Sequence, residues 1–223
     1  MITARWFLAG AGTQNAGLAV GGLTPTVVAC TEEYDGTAWA AGGALITARH
    51  TLTAVGTQNS ALAVAGATPT IITCVEEYNG TTWAAGSCSV TCRCALAGSG
   101  TQNAALVFGG QNPTLQTLTQ AYDGTSWVTK NSLITSRQNL GGAGTQTAAL
   151  AFGGFNPAGS LTCTEAFNNF NSYNVSLAGE FISTPAGTTV SSPTYLCGSN
   201  SSIYYGYYAV VVIGGKTYYI LID

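Results

Sequence analysis

Charge is what this chain has least of. Charged residues make up 7% of its 223 positions, against roughly a quarter in an average soluble domain. Six Lys and Arg stand against nine Asp and Glu, for a net charge of −3. No basic stripe exists to neutralise a run of phosphates, so nucleic acid is not an expected partner. Histidine is nearly absent too: His50 is the only one, which leaves a single candidate base for any Ser-His-Asp arrangement. No run of 18 apolar residues appears, and no basic region followed by an apolar stretch opens the chain, so neither membrane insertion nor a signal peptide is expected. Export would require lysis, assembly on a particle, or loss of a leader. Hydroxyls and amides must carry the solvation that ionic groups usually supply.

A repeat fills the space. Thr13, Thr57, Thr101 and Thr145 each open the same text, Thr-Gln after a Gly, at intervals of 44 residues. Arg5, Arg49, Arg93 and Arg137 keep that interval, as do Tyr34, Tyr78 and Tyr122, and Trp39, Trp83 and Trp127. Phe167 continues the Tyr column one residue late, as if one insertion lay between Gly153 and Cys163. A period of about 40 to 50 residues points to propellers or solenoids, in which each copy buries its apolar faces only against its neighbours.

The second copy predicts four strands. Thr51 to Val55 and Ser60 to Ala65 are short apolar runs around a Gly56 to Asn59 turn. Thr70 to Tyr78 is β-prone, and Asn79-Gly80 marks a hairpin into Thr81 to Ala85. The runs are too short for helices and end in Gly, Asn or Pro. The expected fold is therefore all-β, with four-stranded antiparallel blades and almost no helix. Paired glycines, Gly21-Gly22, Gly109-Gly110 and Gly153-Gly154, close the second strand where backbones approach closely. The Tyr and Trp columns are expected to be structural, each Trp packing on the next sheet. The array spans 1–173, with repeats near 5–48, 49–92, 93–136 and 137–173. A tail at 174–223 follows, rich in Ser, Asn, Thr and Gly, with Pro185 and Pro193 in loops. Ala209 to Ile213 and Thr217 to Ile222 predict a hairpin around Gly214-Gly215-Lys216, suited to closure, capping or strand addition to a neighbouring subunit.

The order Arg, apolar strand, Gly-Gly, Tyr, Trp resembles the kelch repeat. It runs Arg5, Gly21-Gly22, Tyr34, Trp39; then Arg49, Ala65-Gly66, Tyr78, Trp83; then Arg93, Gly109-Gly110, Tyr122, Trp127; and last Arg137, Gly153-Gly154, Phe167, with Tyr173 as the candidate for the missing Trp. The resemblance implies a kelch-type β-propeller. The low-charge, near-identical wording is similar to kelch-like arrays in virion fibre or appendage proteins of tailed bacteriophages. Kelch propellers commonly have six or seven blades, so four copies imply a small ring, blades shared with another subunit, or part of a longer array.

Candidate chemistry is sparse. Cys30, Cys74 and Cys163 occupy one third-strand position and should be buried free thiols, since equivalent residues point the same way. Cys88, Cys92 and Cys94 lack a fourth ligand for zinc, so no metal and no other cofactor is expected. The copper radical oxidases that share the kelch propeller need two His on the metal, a site that cannot be built with His50 alone. Sialidases offer a second comparison in Asp35-Gly36-Thr37-Ala38-Trp39 and in the Arg column. The Arg column, however, has one member per blade and fits structural pairing with the repeated carboxylates. Glu32-Glu33 and Glu76-Glu77 alternate faces and cannot form a glycosidase dyad. Asn79, Asn174 and Asn200 begin glycosylation sequons, as expected in so Asn- and Thr-rich a chain.

These readings predict a non-enzymatic virion structural or host-recognition protein at an extracellular surface. Its partners would be other copies of itself, other virion proteins or a cell-surface glycan. Gln14, Asn15, Gln58, Asn59, Gln102 and Asn103 form the expected polar contact ring, with satisfaction of the turn backbone as their competing role. The alternatives are a filament protomer joined by strand addition, and a propeller glycan hydrolase.

Overall fold

The structure is a computed structural model that describes residues 1–88 and 91–168, together with the backbone of two later strands. It divides into two units, 1–174 and 175–223. All regular structure among the described residues is β. The first unit is built from antiparallel sheets arranged as a four-blade β-propeller.

Blade 1 holds β1 (Ala9–Thr13), β2 (Ala16–Val20), β3 (Thr31–Tyr34) and β4 (Trp39–Ala41), paired in that order. Blade 2 holds β5 (Thr53–Thr57), β6 (Ser60–Val64), a two-residue pair β7 (Ala67–Thr68) and β8 (Thr70–Ile71), then β9 (Val75–Tyr78) and β10 (Trp83–Ala85). Blade 3 holds β11 (Ala97–Thr101), β12 (Ala104–Phe108), β13 (Thr119–Tyr122) and β14 (Trp127–Lys130). Blade 4 has three described strands in its sheet, β15 (Gly141–Gly144), β16 (Ala148–Phe152) and β19 (Thr164–Asn168), besides the short pair β17 (Phe155–Asn156) and β18 (Gly159–Ser160). Tyr173, Pro185 and Pro193 lie outside the described residues. The second unit contains one antiparallel hairpin, β20 (Tyr207–Ile213) with β21 (Lys216–Ile222).

The third strand of blade 2 is shorter than its composition predicts. Thr70 and Ile71 turn back on Ala67 and Thr68 instead of continuing into β9, because Pro69 between them carries no N–H and favours a turn. The first hairpin of each blade is tighter. Thr13 pairs with Ala16 and Thr57 with Ser60, which leaves two-residue loops, Gln14-Asn15 and Gln58-Asn59.

The core lies between blades. Leu18 and Val20 of blade 1 cluster with Leu52, Ala61, Ala63, Tyr78 and Trp83 of blade 2. Val55, Leu62 and Val64 meet Leu96, Ala105, Val107, Tyr122 and Trp127 in the same way. Burying each Leu contributes about 1.5 to 3 kcal/mol, and each Tyr stacks on its own Trp, with ring centroids 4.8 Å apart in blades 2 and 3. The Trp side chains pack on the preceding blade, not the next one as expected: Trp83 Nε1 donates to Thr31 Oγ1 at 3.0 Å, and Trp127 Nε1 to Ser87 O at 2.9 Å. Strand parity fixes which sheet face a side chain uses, but only the packed structure says which neighbour lies there.

Two backbone columns knit the blades together. Thr51 N donates to Phe7 O, Ala95 N to Thr51 O and Asn139 N to Ala95 O, at 2.8 to 2.9 Å. Phe7, Thr51, Ala95 and Asn139 all take positive φ, from 51° to 56°, without a glycine among them. In the second column, Gly22 N donates to Arg49 O, Gly66 N to Arg93 O and Gly110 N to Arg137 O. The residue before each of these donors is also left-handed, and Ala65 adopts φ 58° where Gly21 and Gly109 stand in other blades. An alanine there bears a strain of about 1 kcal/mol that glycine avoids.

Candidate functional site

The arginine column lies inside the blades. Arg49, Arg93 and Arg137 are fully buried and Arg5 nearly so. Each guanidinium crosses its own sheet to the third strand, where Arg5 meets Glu32 at 2.5 Å, Arg49 meets Glu76, and Arg137 meets Glu165. The carboxylates also gather backbone donors: Ile2 and Thr3 on Glu32, Ile46 and Thr47 on Glu76, Ile134 and Thr135 on Glu165. Burial pushes the Glu32 carboxyl up, but the Ile2 and Thr3 amides and the Arg5 charge outweigh it and hold it below the usual range. Blade 3 departs from this pattern. Arg93 faces Gln120 at 2.9 Å and the carbonyls of Gly109, Leu118 and Val107. With no carboxylate beside it, burial pulls its pKa down to about 10.

The two glutamates of each pair take opposite faces, as alternation requires. Glu32 serves its own blade, whereas Glu33 Oε1 accepts the Tyr78 hydroxyl of the next blade, and Glu77 accepts that of Tyr122 at 2.7 Å. Burial first, and the neighbouring glutamate second, raise both phenols to about 12. A proton held more tightly in the folded state gives stability that is full below the unfolded phenol value and fades as pH rises through the folded one. Unfolding free energy should therefore fall between pH about 10 and about 12. Tyr78→Phe should flatten that slope in denaturant titrations taken across the window; an unchanged slope would place the loss elsewhere.

The expected Gln and Asn ring separates into two. Gln58 Nε2 donates to Gly17 O and Tyr34 O of blade 1, and Gln102 to Ala61 O and Tyr78 O of blade 2. Gln146, which was not singled out from sequence, repeats this on Ala105 O and Tyr122 O. These amides clamp each blade to the one before it. Gln14 of blade 1 has no such partner among the described residues and is exposed. Asn15, Asn59 and Asn103 point elsewhere: all three are exposed, and none makes a side-chain hydrogen bond among the described residues.

Beside each Asn lies the turn joining the third and fourth strands. A β-carbon on Gly36, Gly80 or Gly124 would come within 3.5 Å of Asn15, Asn59 or Asn103 respectively. That turn is rigid. Asp35 Oδ1 accepts the Ala38 and Thr37 amides and the Thr37 hydroxyl, and these bonds lower its carboxyl to about 2. Asn79 Oδ1 holds Thr81 and Thr82, and Asp123 Oδ1 holds Thr125 and Ser126. One rim of three blades thus presents a free carboxamide next to an exposed threonine, Thr37, Thr81 or Thr125.

The cysteines differ from expectation in part. Cys163 is buried and disulfide-bonded, not a free thiol. Cys30 and Cys74 are free but half-buried, and each stands just before the third strand of its blade, not within it. Cys88, Cys92 and Cys94 are free thiols as well. His50 is half-buried and pairs with Ala67 through its backbone, with its ring 6.3 Å from that of Phe7.

No protein-family model matches this chain, and no curated protein is significantly similar to it.

Proposed function

We propose that this chain is a non-enzymatic recognition and structural protein, a kelch-like propeller on a virion fibre or comparable surface appendage, whose amide and hydroxyl rim binds a glycan. The observation that carries this reading is the Asn15, Asn59 and Asn103 column. Its carboxamides are exposed and make no side-chain hydrogen bond among the described residues, and they stand beside turns tied by Asp35, Asn79 and Asp123. The threonine hydroxyls beside them, Thr37 on Asp35 and Thr125 on Asp123, are already held in place and lose little entropy on meeting sugar hydroxyls. The buried arginines support the same reading: they are spent inside the blades, where they cannot grip a substrate carboxylate as a propeller hydrolase would need.

A glycan array probed with the full chain tests the proposal. Binding is expected, and changing Asn15, Asn59 and Asn103 together to alanine should weaken it by a factor of about 10 or more, since each hydrogen bond contributes about 1 kcal/mol. Undiminished binding by the triple variant would remove the rim from the interface. Cleavage of a bound glycan would overturn the non-enzymatic reading.

A further inference from the structure

Within the array every blade offers two unlike faces. The front carries the Leu18 and Val20 column, and the back carries Leu52, Tyr78 and Trp83. The front column is 0 to 2% exposed in blades 1 to 3, yet in blade 4 Leu150 is 44% and Phe152 42% exposed. The back column fails at the other end: Tyr78, Trp83, Tyr122 and Trp127 are buried, whereas Tyr34 and Trp39 of blade 1 are only half-buried. The first strands pack in series, β1 on β5, β5 on β11 and β11 on β15. Among the described residues no hydrogen bond joins blade 4 to blade 1.

The loose ends match each other. Among the described residues, blade 1 leaves the Phe7 N–H, the Gln14 carboxamide and the Arg5 carbonyl without a blade in front of them. Blade 4 leaves the Asn139 carbonyl and the Gly154 N–H, and its Ala149 and Phe167 carbonyls stand where Gln58 finds Gly17 and Tyr34 in blade 1. Each is the missing half of a bond made at all three internal junctions. Shape agrees as well. The Phe108 ring lies so close to Gly142 that a β-carbon there would sit 2.7 Å from it. Phe152 is the next member of the Phe108 column, and the position in blade 1 matching Gly142 is Gly10, exposed, where a β-carbon would meet only the Leu18 carbonyl of its own blade, at 3.8 Å. Tyr34 needs no glutamate from the facing Ala166, since its hydroxyl already donates to Gly36 O at 2.9 Å.

We infer that the front of blade 4 docks on the back of blade 1 of a second copy of this chain, so that copies join head to tail by repeating the internal blade junction. The contact is heterologous, and it closes a ring or runs on as a filament according to its rotation. It rests on the blade faces and is independent of what the rim binds.

Sedimentation of the full chain over a concentration series tests the junction. The native chain should associate, and Leu150→Arg, which blocks only the front, and Gly10→Arg, which blocks only the back, should each weaken association about a hundredfold or more. Mixing the two variants should restore one intact junction and yield a dimer that does not grow. A native chain that stays monomeric at all concentrations would overturn the inference, as would association indifferent to both substitutions. So would failure of the mixture to pair when both variants retain the native far-ultraviolet spectrum. If one variant does not fold, the other and the native series still decide.

Discussion

Glu76→Ala should lower the unfolding free energy by about 3 to 5 kcal/mol, the range for removing one partner of a buried ion pair. Arg49 is fully buried, and among the described residues Glu76 is the one carboxylate it pairs with. Without it, the guanidinium keeps the carbonyls of Cys74 at 2.7 Å and Ala65 at 3.3 Å, which accept hydrogen bonds but carry no net charge. The amides of Ile46 and Thr47 lose their acceptor in the same step. Burial already draws the Arg49 pKa down against the pull of Glu76, and without that carboxylate the burial cost falls on the cation with less to offset it. Urea unfolding followed by tryptophan fluorescence measures the change, and a loss below about 1 kcal/mol would mean that carbonyls alone suffice for a buried guanidinium.

Gln120→Glu should act in the opposite direction, raising stability by about 2 kcal/mol at neutral pH, because it supplies a counter-charge to a cation that is already buried and unpaired. Gln120 is fully buried, its Nε2 has no hydrogen-bond partner, and its Oε1 already receives Arg93 Nη2 at 2.9 Å. A glutamate replaces the orphaned donor with a second acceptor and copies the geometry of Glu32 and Glu76 in the other blades. The gain should vanish on acidification, since it requires the ionised carboxylate. The same denaturation experiment reads it; a destabilised variant would show that the carbonyls of Gly109, Leu118 and Val107 already satisfy Arg93 and repel a new anion. The two substitutions lie in different blades, so their effects should add.

The blade and its strands were legible because the sequence states them several times over. The Gly-Thr-Gln turn, the Asn-Gly or Asp-Gly turn and the Tyr and Trp columns recur at one interval, and each copy corrects the ambiguity of the others. What was not legible concerns relations between copies. Period-2 alternation places Gln58 and Asn59 on opposite sides of a turn, but nothing in the text says that the first reaches Gly17 and Tyr34 of the preceding blade while the second meets solvent. The direction of Trp83 was lost for the same reason. The left-handed column at Phe7, Thr51, Ala95 and Asn139 left no trace, because it contains no glycine and its strain is offset by tertiary hydrogen bonds. The Ala65 strain was visible only as a departure from a glycine pair. A sharper signal lay in the exceptions: Gln120 in a column of glutamates, and Ala121 facing Phe167 where Glu33 and Glu77 face tyrosines, mark where a partner changes with its neighbour.

That last pairing has a consequence for how such a chain can gain or lose units. Unequal recombination between near-identical stretches of coding sequence removes or inserts whole copies, and a boundary survives only if the newly apposed residues still suit each other. Excising the second unit would set Glu33 against Tyr122, a carboxylate against a phenol once more. Excising the third would set Glu77 against Phe167, a carboxylate against a bare ring. The units are thus interchangeable in outline yet ordered by their edges, and inheritance can shuffle them only along the seams where acid still finds hydroxyl.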